Sequence, residues 1–155
     1  MREREKREDP IKMIDITDKE IVHRRAVAKG TIRLRKETIQ AIISGEIKKG
    51  DPLIVAEISG IQAVKKTPDL IPMCHPIPIG GVEMEFKTGS DKIEATCSVT
   101  ADYKTGLEME ALTGVSVALL NIWDMVKYLE KGPRGDYATA EISDIRVIEK
   151  VKEEI

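Results

Sequence analysis

The sequence predicts an α+β protein in which helices cover one face of an antiparallel sheet. Four segments alternate apolar and polar residues with the period of a strand, and three others carry apolar residues at helical spacing. Along the chain the order is strand, helix, helix, hairpin, long helix, strand. If the two early helices form one layer, this order is the ferredoxin-like βαββαβ arrangement.

The first half of the chain contains one strand and two helices. Alternation from His23 to Arg35 predicts a strand with alanine and isoleucine on its buried face. Residues 36–47 place isoleucines on one helical stripe. Pro52 suits the first turn of a second helix that runs to about Lys65, and Pro68 stops it.

The second half contains a hairpin, a long helix and a final strand. Residues 82–87 and 92–103 alternate, and the Gly-Ser-Asp turn at 89–91 joins them. Helical spacing is longest from Glu108 to Glu130. A last alternating segment covers residues 140–148.

Composition predicts one domain and narrows the functional classes. We expect a charged tail over residues 1–12, a single ferredoxin-like domain over 13–150 and a second charged tail over 151–155. A net charge of −2 disfavours a generic nucleic-acid binder, and no apolar run approaches the length that spans a bilayer. Two cysteines without disulfide or metal-finger spacing indicate a reducing, cytoplasmic setting.

The segment DLIPMCHPIPI (residues 69–79) holds three prolines, Cys74 and His75 among apolar residues. Proline excludes a helix interior and a central strand, so we expect a stiff, extended and largely buried site wall. His75 is either an acid/base group or a structural histidine. Cys74 is a nucleophile, a metal ligand or a small packing residue, and Cys97 reads as core.

Charged residues elsewhere suggest an anion site. Asp124 and Lys127 stand three apart on the long helix, either as a solvated ion pair or as a coupled acid/base pair. Lys49, Lys65 and Arg24 are either solvated or neutralise a phosphate. Without a Walker or GxGxxG loop, a polyphosphate would be held by side-chain cations. The acidic residues in the turn Glu108-Met109-Glu110 are explained by the helix dipole alone.

These strings resemble the molybdenum cofactor biosynthesis protein C family, the cyclic pyranopterin monophosphate synthases. DLIPMCHPIPI and GLEMEALTGVSVALLNIWDMVK carry the resemblance, which also includes KKGD and GIQAVKKTPD and covers residues 13–150. It implies a ferredoxin-like hexamer, a trimer of dimers, with active sites at a dimer interface.

The resemblance also implies an activity. The substrate would be 3′,8-cyclo-7,8-dihydro-GTP, made by a radical S-adenosylmethionine enzyme, and the products cyclic pyranopterin monophosphate and pyrophosphate. No redox change calls for a resident cofactor, although Mg²⁺ could accompany the triphosphate. The residues show no convincing metal site, since adjacent Cys74 and His75 do not readily share one ion.

Site residues follow from the resemblance position by position. It assigns catalysis to Lys49, His75, Asp124 and Lys127. Substrate binding would fall to Arg24, Lys65, Met73, Cys74, His75, Glu108, Met109, Glu110 and Lys150.

This chain departs from the family pattern at one place, and one alternative function stays open. The chain ends IRVIEKVKEEI, without the Gly-rich lysine loop found in some bacterial members, so the resemblance does not say how the triphosphate is enclosed here. A different class of function, a non-catalytic ferredoxin-like nucleotide-binding module, would not need the Asp124–Lys127 acid/base pair.

Overall fold

Four strands form one antiparallel sheet in the computed structural model, which describes residues 10–155. They are β1 (Val22–Arg33), β2 (Gly81–Thr88), β3 (Lys92–Tyr103) and β4 (Glu141–Glu153), in the spatial order β2-β3-β1-β4. This order places the β2-β3 hairpin beside β1 and puts the last strand on the far edge. The predicted α+β, ferredoxin-like fold is confirmed.

The helices are α1 (Lys36–Ile43), α2 (Pro52–Lys65), the one-turn α3 (Thr67–Leu70) and α4 (Glu108–Glu130). Asp51 caps α2 by accepting hydrogen bonds from the backbone N–H groups of Leu53 and Ile54. Pro52 occupies the first turn, as predicted. The expected end of α2 at Lys65 is also confirmed, and Pro68 lies within α3.

Helix α1 is shorter than the sequence indicated. It ends at Ile43 instead of continuing to residue 47, because Gly45 adopts a φ of +71° that breaks the helical path. Ile47 is nonetheless buried. It lies at helical spacing from the earlier isoleucines because it packs into the core after the turn, not because the helix continues.

Strand β4 is longer than predicted and includes residues 151–153 of the expected C-terminal tail. Lys152 pairs with Arg24 and Glu153 with His23 across the sheet. The alternation of lysine and glutamate looked like a solvated tail because β4 is an edge strand and mostly exposed. Of the predicted N-terminal tail, residues 1–9 lie outside the described range.

The core lies between the sheet and the helices. Helix α4 packs on α2, β1 and β3, and its central residues Val115, Ala118 and Ile122 are fully buried. Helix α4 is long and apolar enough to cross a bilayer by length and composition, but this packing is that of a core helix. Where α4 packs on α2, a Cβ on Gly114 would lie 2.8 Å from Val64 Cγ2, so a larger residue would force neighbouring atoms to shift.

Candidate active site

The predicted site residues lie at the two ends of α4. At its N-terminal end a pocket of about 430 Å³, here called the histidine pocket, contains six of them. They are Met73, Cys74, His75, Glu108, Met109 and Glu110. At the C-terminal end, Lys49, Asp124 and Lys127 form the lysine–aspartate cluster.

One wall of the histidine pocket is the proline-rich segment. Residues 71–80 form neither helix nor strand, as the prolines predicted, whereas Asp69 and Leu70 at the start of the segment belong to the one-turn helix α3. The expectation that this segment is largely buried is wrong for the single chain, because its residues are exposed or only partly buried. Ile77 and Ile79 pack against the core and anchor the segment, while Cys74 and His75 between the prolines face the pocket.

The second wall is the first turn of α4, where two glutamates have opposite electrostatic surroundings. Burial opposes ionisation of Glu108, but the Lys150 ammonium, 2.6 Å from Oε1, and a backbone hydrogen bond together lower the pKa of this carboxyl. Arg24 contributes in the same direction. Glu110 is only 3% exposed, and burial together with the charge of Glu108 raises its pKa.

Arg24 supplies a buried cation close to this end of α4. Its side chain is 5% exposed, and Nε donates to the backbone oxygen of Tyr103 at 3.1 Å. Arg24 occupies one of the inward-facing positions of β1, so its guanidinium lies on the side of the sheet that the helices cover. A buried guanidinium that is always charged suits recognition of an anion.

The two cysteines both have thiols that resist ionisation. Burial raises the pKa of Cys97 to about 12, which confirms it as a core residue. Burial and the charge of Glu110 also raise the pKa of Cys74, so its nucleophilic thiolate is disfavoured. Among residues 10–155, no group of three histidine, cysteine, aspartate or glutamate side chains could hold a metal ion.

In the lysine–aspartate cluster a single carboxylate lies between two ammonium groups. Lys49 Nζ is 3.2 Å from Asp124 Oδ2 and donates also to the Asp124 backbone oxygen at 3.1 Å. Lys127 Nζ is 3.2 Å from the other oxygen, Oδ1. The hydrogen bond from Lys49, followed by that from Lys127, lowers the pKa of Asp124. The sequence linked Asp124 to Lys127, and the structure adds Lys49.

A cavity of about 450 Å³ adjoins this cluster. Asp124 and Lys127 form its polar side, and Trp123, Tyr137, Leu120 and Ile142 form its apolar side. The ring centroids of Trp123 and Tyr137 are 5.1 Å apart. The charged cluster therefore opens onto a space that is large enough for a small molecule.

Lys65 joins neither group through a described contact. Gly60 of α2 meets Gly114 of α4, and Lys49, just before α2, meets Asp124 near the end of α4. The two helices are therefore antiparallel, and Lys65 lies toward the histidine-pocket end.

The two ends are too far apart to act on one atom within a chain. Glu110 and Asp124 are fourteen residues apart on one helix, which corresponds to about 21 Å. A general base must lie within about 3 Å of the proton that it removes. The resemblance assigned all these residues to one site, whereas within a single chain they form two separate groups.

Sequence reasoning missed the third wall of the histidine pocket. Lys12, Ile14, Ile16 and Lys19 line it, and the Ile14 backbone oxygen lies 2.7 Å from His75 Nε2. The only available signal was the apolar residues spaced along 11–16, next to a charged tract that suggested a tail. Tyr137 was missed because nothing in the sequence relates it to Trp123.

The fold is that of a small ferredoxin-like protein with charged side chains gathered at both ends of α4. The family model described as the MoaC family matches residues 13–153. The chain belongs to this family.

Curated relatives agree over nearly the full length. A protein of Thermococcus kodakarensis is 60% identical over 95% of this chain and 94% of its own length. One of Pyrococcus abyssi is 60% identical over 94% and 91%, and one of Archaeoglobus fulgidus is 58% identical over 92% and 91%. Each is named "Probable cyclic pyranopterin monophosphate synthase".

Proposed function

We propose that this chain is a cyclic pyranopterin monophosphate synthase of molybdenum cofactor biosynthesis. It converts 3′,8-cyclo-7,8-dihydro-GTP to cyclic pyranopterin monophosphate and pyrophosphate, a lyase-type reaction. The observation that carries the proposal is the contact of Asp124 with Lys49 and Lys127 beside an open cavity. Family membership and the names of the relatives support the same activity.

The cations suit a substrate that carries a triphosphate. When a ribose-derived hydroxyl attacks the α-phosphorus, the bond to pyrophosphate breaks and negative charge develops on the leaving oxygen. Positioned ammonium and guanidinium groups stabilise that charge. Lys49 and Lys127 supply such groups at one end of α4, and Arg24 and Lys150 supply them at the other.

Asp124 and Lys127 are suited to the proton transfers that rebuild the purine-derived ring. The two lysines keep Asp124 ionised, and an ionised carboxylate can accept a proton. Lys127 is a donor at the same location, so acid and base lie in one hydrogen-bonded unit. The reaction needs no external oxidant or reductant, and a Mg²⁺ ion can accompany the triphosphate as part of the substrate.

Two subunits would complete each site. The histidine pocket of one chain and the lysine–aspartate cluster of its neighbour would face the same substrate as two half-sites. Residues about 21 Å apart within one helix could then act on one molecule. A trimer of dimers is the proposed assembly. Helices α2 and α4 leave Ile54, Ile58 and Leu120 more than half exposed, so apolar side chains are available for contact with a second subunit.

The substrate of this reaction must come from an enzyme that joins C3′ of the ribose of GTP to C8 of guanine. A radical S-adenosylmethionine enzyme is the proposed source. A cytoplasmic location is proposed with it, because Cys74 and Cys97 are both unpaired thiols.

The test supplies enzymatically made 3′,8-cyclo-7,8-dihydro-GTP to the full-length protein. We expect stoichiometric cyclic pyranopterin monophosphate and pyrophosphate, measured by mass spectrometry and by a coupled pyrophosphate assay. Tight binding of the nucleotide without either product would instead identify the chain as a nucleotide-binding module and refute the proposed activity.

A further inference from the structure

The N-terminal segment Ile11–Lys19, here called the strap, crosses the histidine pocket and contacts its central residue. The Ile14 backbone oxygen lies 2.7 Å from His75 Nε2. Ile14 and Ile16 also line the pocket, although the Ile14 side chain is 77% exposed. The contact with His75 is therefore made by the backbone of the strap and does not depend on burial of the Ile14 side chain.

Two further interactions hold the strap in this position. Lys104, in the connection between β3 and α4, donates from Nζ to the Thr17 backbone oxygen at 2.8 Å. Asp15 Oδ1 accepts from the Thr17 N–H at 2.8 Å, and hydrogen bonds from Thr17 lower the pKa of Asp15. This side-chain-to-backbone turn fixes the chain direction immediately after Ile14.

The chemistry of the contact determines where the imidazole proton lies. A carbonyl oxygen can only accept, so Nε2 must carry the hydrogen. In the neutral ring Nδ1 is then the nitrogen with a lone pair. We propose that the strap is a positioning element that holds His75 as the Nε2–H tautomer, leaving Nδ1 as its sole proton acceptor. The proposed function enters only in assigning His75 to the active site.

The second histidine of the chain provides an internal reference. His23 Nδ1 lies 2.7 Å from Asp102 Oδ1, and an ionised carboxylate also only accepts. His23 must therefore carry its proton on Nδ1 when neutral. One protein sample should thus contain two histidines with opposite tautomers, each fixed by a different acceptor.

The experiment is ¹⁵N NMR of the full-length protein labelled at histidine, without substrate, at a pH where both rings are neutral. We expect His75 Nε2 to show a protonated shift with a slowly exchanging hydrogen, and His23 the reverse pattern. The variant His23→Gln assigns the two sets of signals. A protonated Nδ1 on His75, or the tautomer mixture of a free imidazole, would overturn the proposal.

Variants of the strap separate its effect from that of charge. Asp15→Ala removes the turn, and Lys104→Met removes the hydrogen bond to the Thr17 backbone oxygen. Each should accelerate exchange of the His75 ring hydrogen at least tenfold. Asp15→Asn keeps the acceptor oxygen but loses the charge, and Asp18→Asn changes an exposed strap carboxylate, so both should retain the slow exchange. Equal exchange in all four variants would contradict a role for the strap.

Failure here is distinguishable from failure of the proposed function. The NMR result needs no turnover, so a fixed tautomer in an inactive protein would retain the strap and reject the synthase. If the protein is active, Asp15→Ala should lower kcat at least tenfold while Asp15→Asn stays near the parent. Unchanged kcat in Asp15→Ala, despite a released ring, would show that the strap does not position His75 for catalysis.

Discussion

Lys150 Nζ lies 2.6 Å from Oε1 of Glu108, which joins the last strand of the sheet to the first residue of α4. The lysine lies in the part of β4 that extends beyond the predicted strand, and the glutamate borders the histidine pocket. The ion pair therefore connects the end of the chain to the candidate site. It places a cation beside that site.

The variant Lys150→Met should raise the pKa of Glu108. Burial already opposes ionisation of this carboxyl, and the lysine provides the largest opposing effects. Because the folded-state pKa is lowered, the stabilisation is present above the unfolded-state value and is lost as the pH falls through the folded-state value. Parent and variant should therefore differ in unfolding free energy at neutral pH and converge in acid.

The measurement is denaturant unfolding at several pH values, together with a ¹³C carboxyl titration of Glu108. Lys152→Met is the matched control, since it removes a lysine two residues further along β4 that has no carboxylate partner among residues 10–155. An unchanged Glu108 titration in Lys150→Met would show that the ion pair is not formed in solution.

Asp124→Asn should reduce turnover by about 10²- to 10⁴-fold, the usual contribution of a positioned acid/base group. The amide retains the shape and one acceptor oxygen but cannot take a proton. It also lacks the negative charge that pairs with both lysines. Steady-state kcat and KM would be measured with the cyclised nucleotide. Asp91→Asn is the control, because Asp91 forms a similar exposed ion pair with Arg33, outside both half-sites. Comparable losses in both variants would point to stability instead of chemistry.

Mixing two inactive variants should restore activity if each site combines residues from two chains. His75→Ala damages the histidine pocket, and Lys127→Ala damages the lysine–aspartate cluster. In a mixed dimer one site carries both defects and the other carries none, so random mixing should recover about a quarter of the parent sites. The proteins would be unfolded and refolded together, then assayed.

The separately refolded variants serve as the baseline for that experiment. Co-refolded Lys49→Ala with Lys127→Ala is the negative control, because both changes fall in the same half-site and no combination of two chains repairs it. Recovery of activity in the control pair would exclude a shared site of this composition. Failure of the test pair to recover activity would exclude it as well.

Local patterns in the sequence were sufficient for most of the fold. The strand Lys92–Tyr103 and the helix Glu108–Glu130 have the predicted bounds because period and turn residues coincide there. Strand β4 was underestimated because an exposed edge strand needs no apolar residue at alternate positions, so its end resembles a charged tail.

The site was less predictable because it depends on long-range contacts. Asp124 and Lys127 are helix neighbours and could be paired from their spacing, whereas Lys49 reaches Asp124 from 75 residues away. The strap contacts His75 through a backbone oxygen, which every residue type has, so the sequence gives no signal for this contact. The division into half-sites required the observed position of the residues along α4.

Glu110→Gln should stabilise the protein at neutral pH. Burial raises the pKa of Glu110, so stability falls as the pH rises from the unfolded-state value through the folded-state value. A neutral amide of the same size removes this penalty. Thermal unfolding at fixed protein concentration should give a higher Tm near pH 7 and a smaller difference in acid. Glu108→Gln, next to a lysine, should have the opposite effect at neutral pH.

Gly114→Ala should destabilise the contact between α2 and α4. The added methyl group would lie 2.8 Å from both Cys97 Sγ and Val64 Cγ2, which are fixed in the core. Overpacking of this kind costs about 1–3 kcal/mol, and the better helix propensity of alanine returns about 1 kcal/mol at most. Gly60→Ala is the matched comparison, since its nearest atoms lie further away: the end of the Met84 side chain at 3.1 Å, which can move, and the Gly114 backbone oxygen at 3.2 Å. Urea unfolding should therefore rank the parent first, Gly60→Ala second and Gly114→Ala last, and a Gly114→Ala protein as stable as the parent would show that the helices can separate without cost.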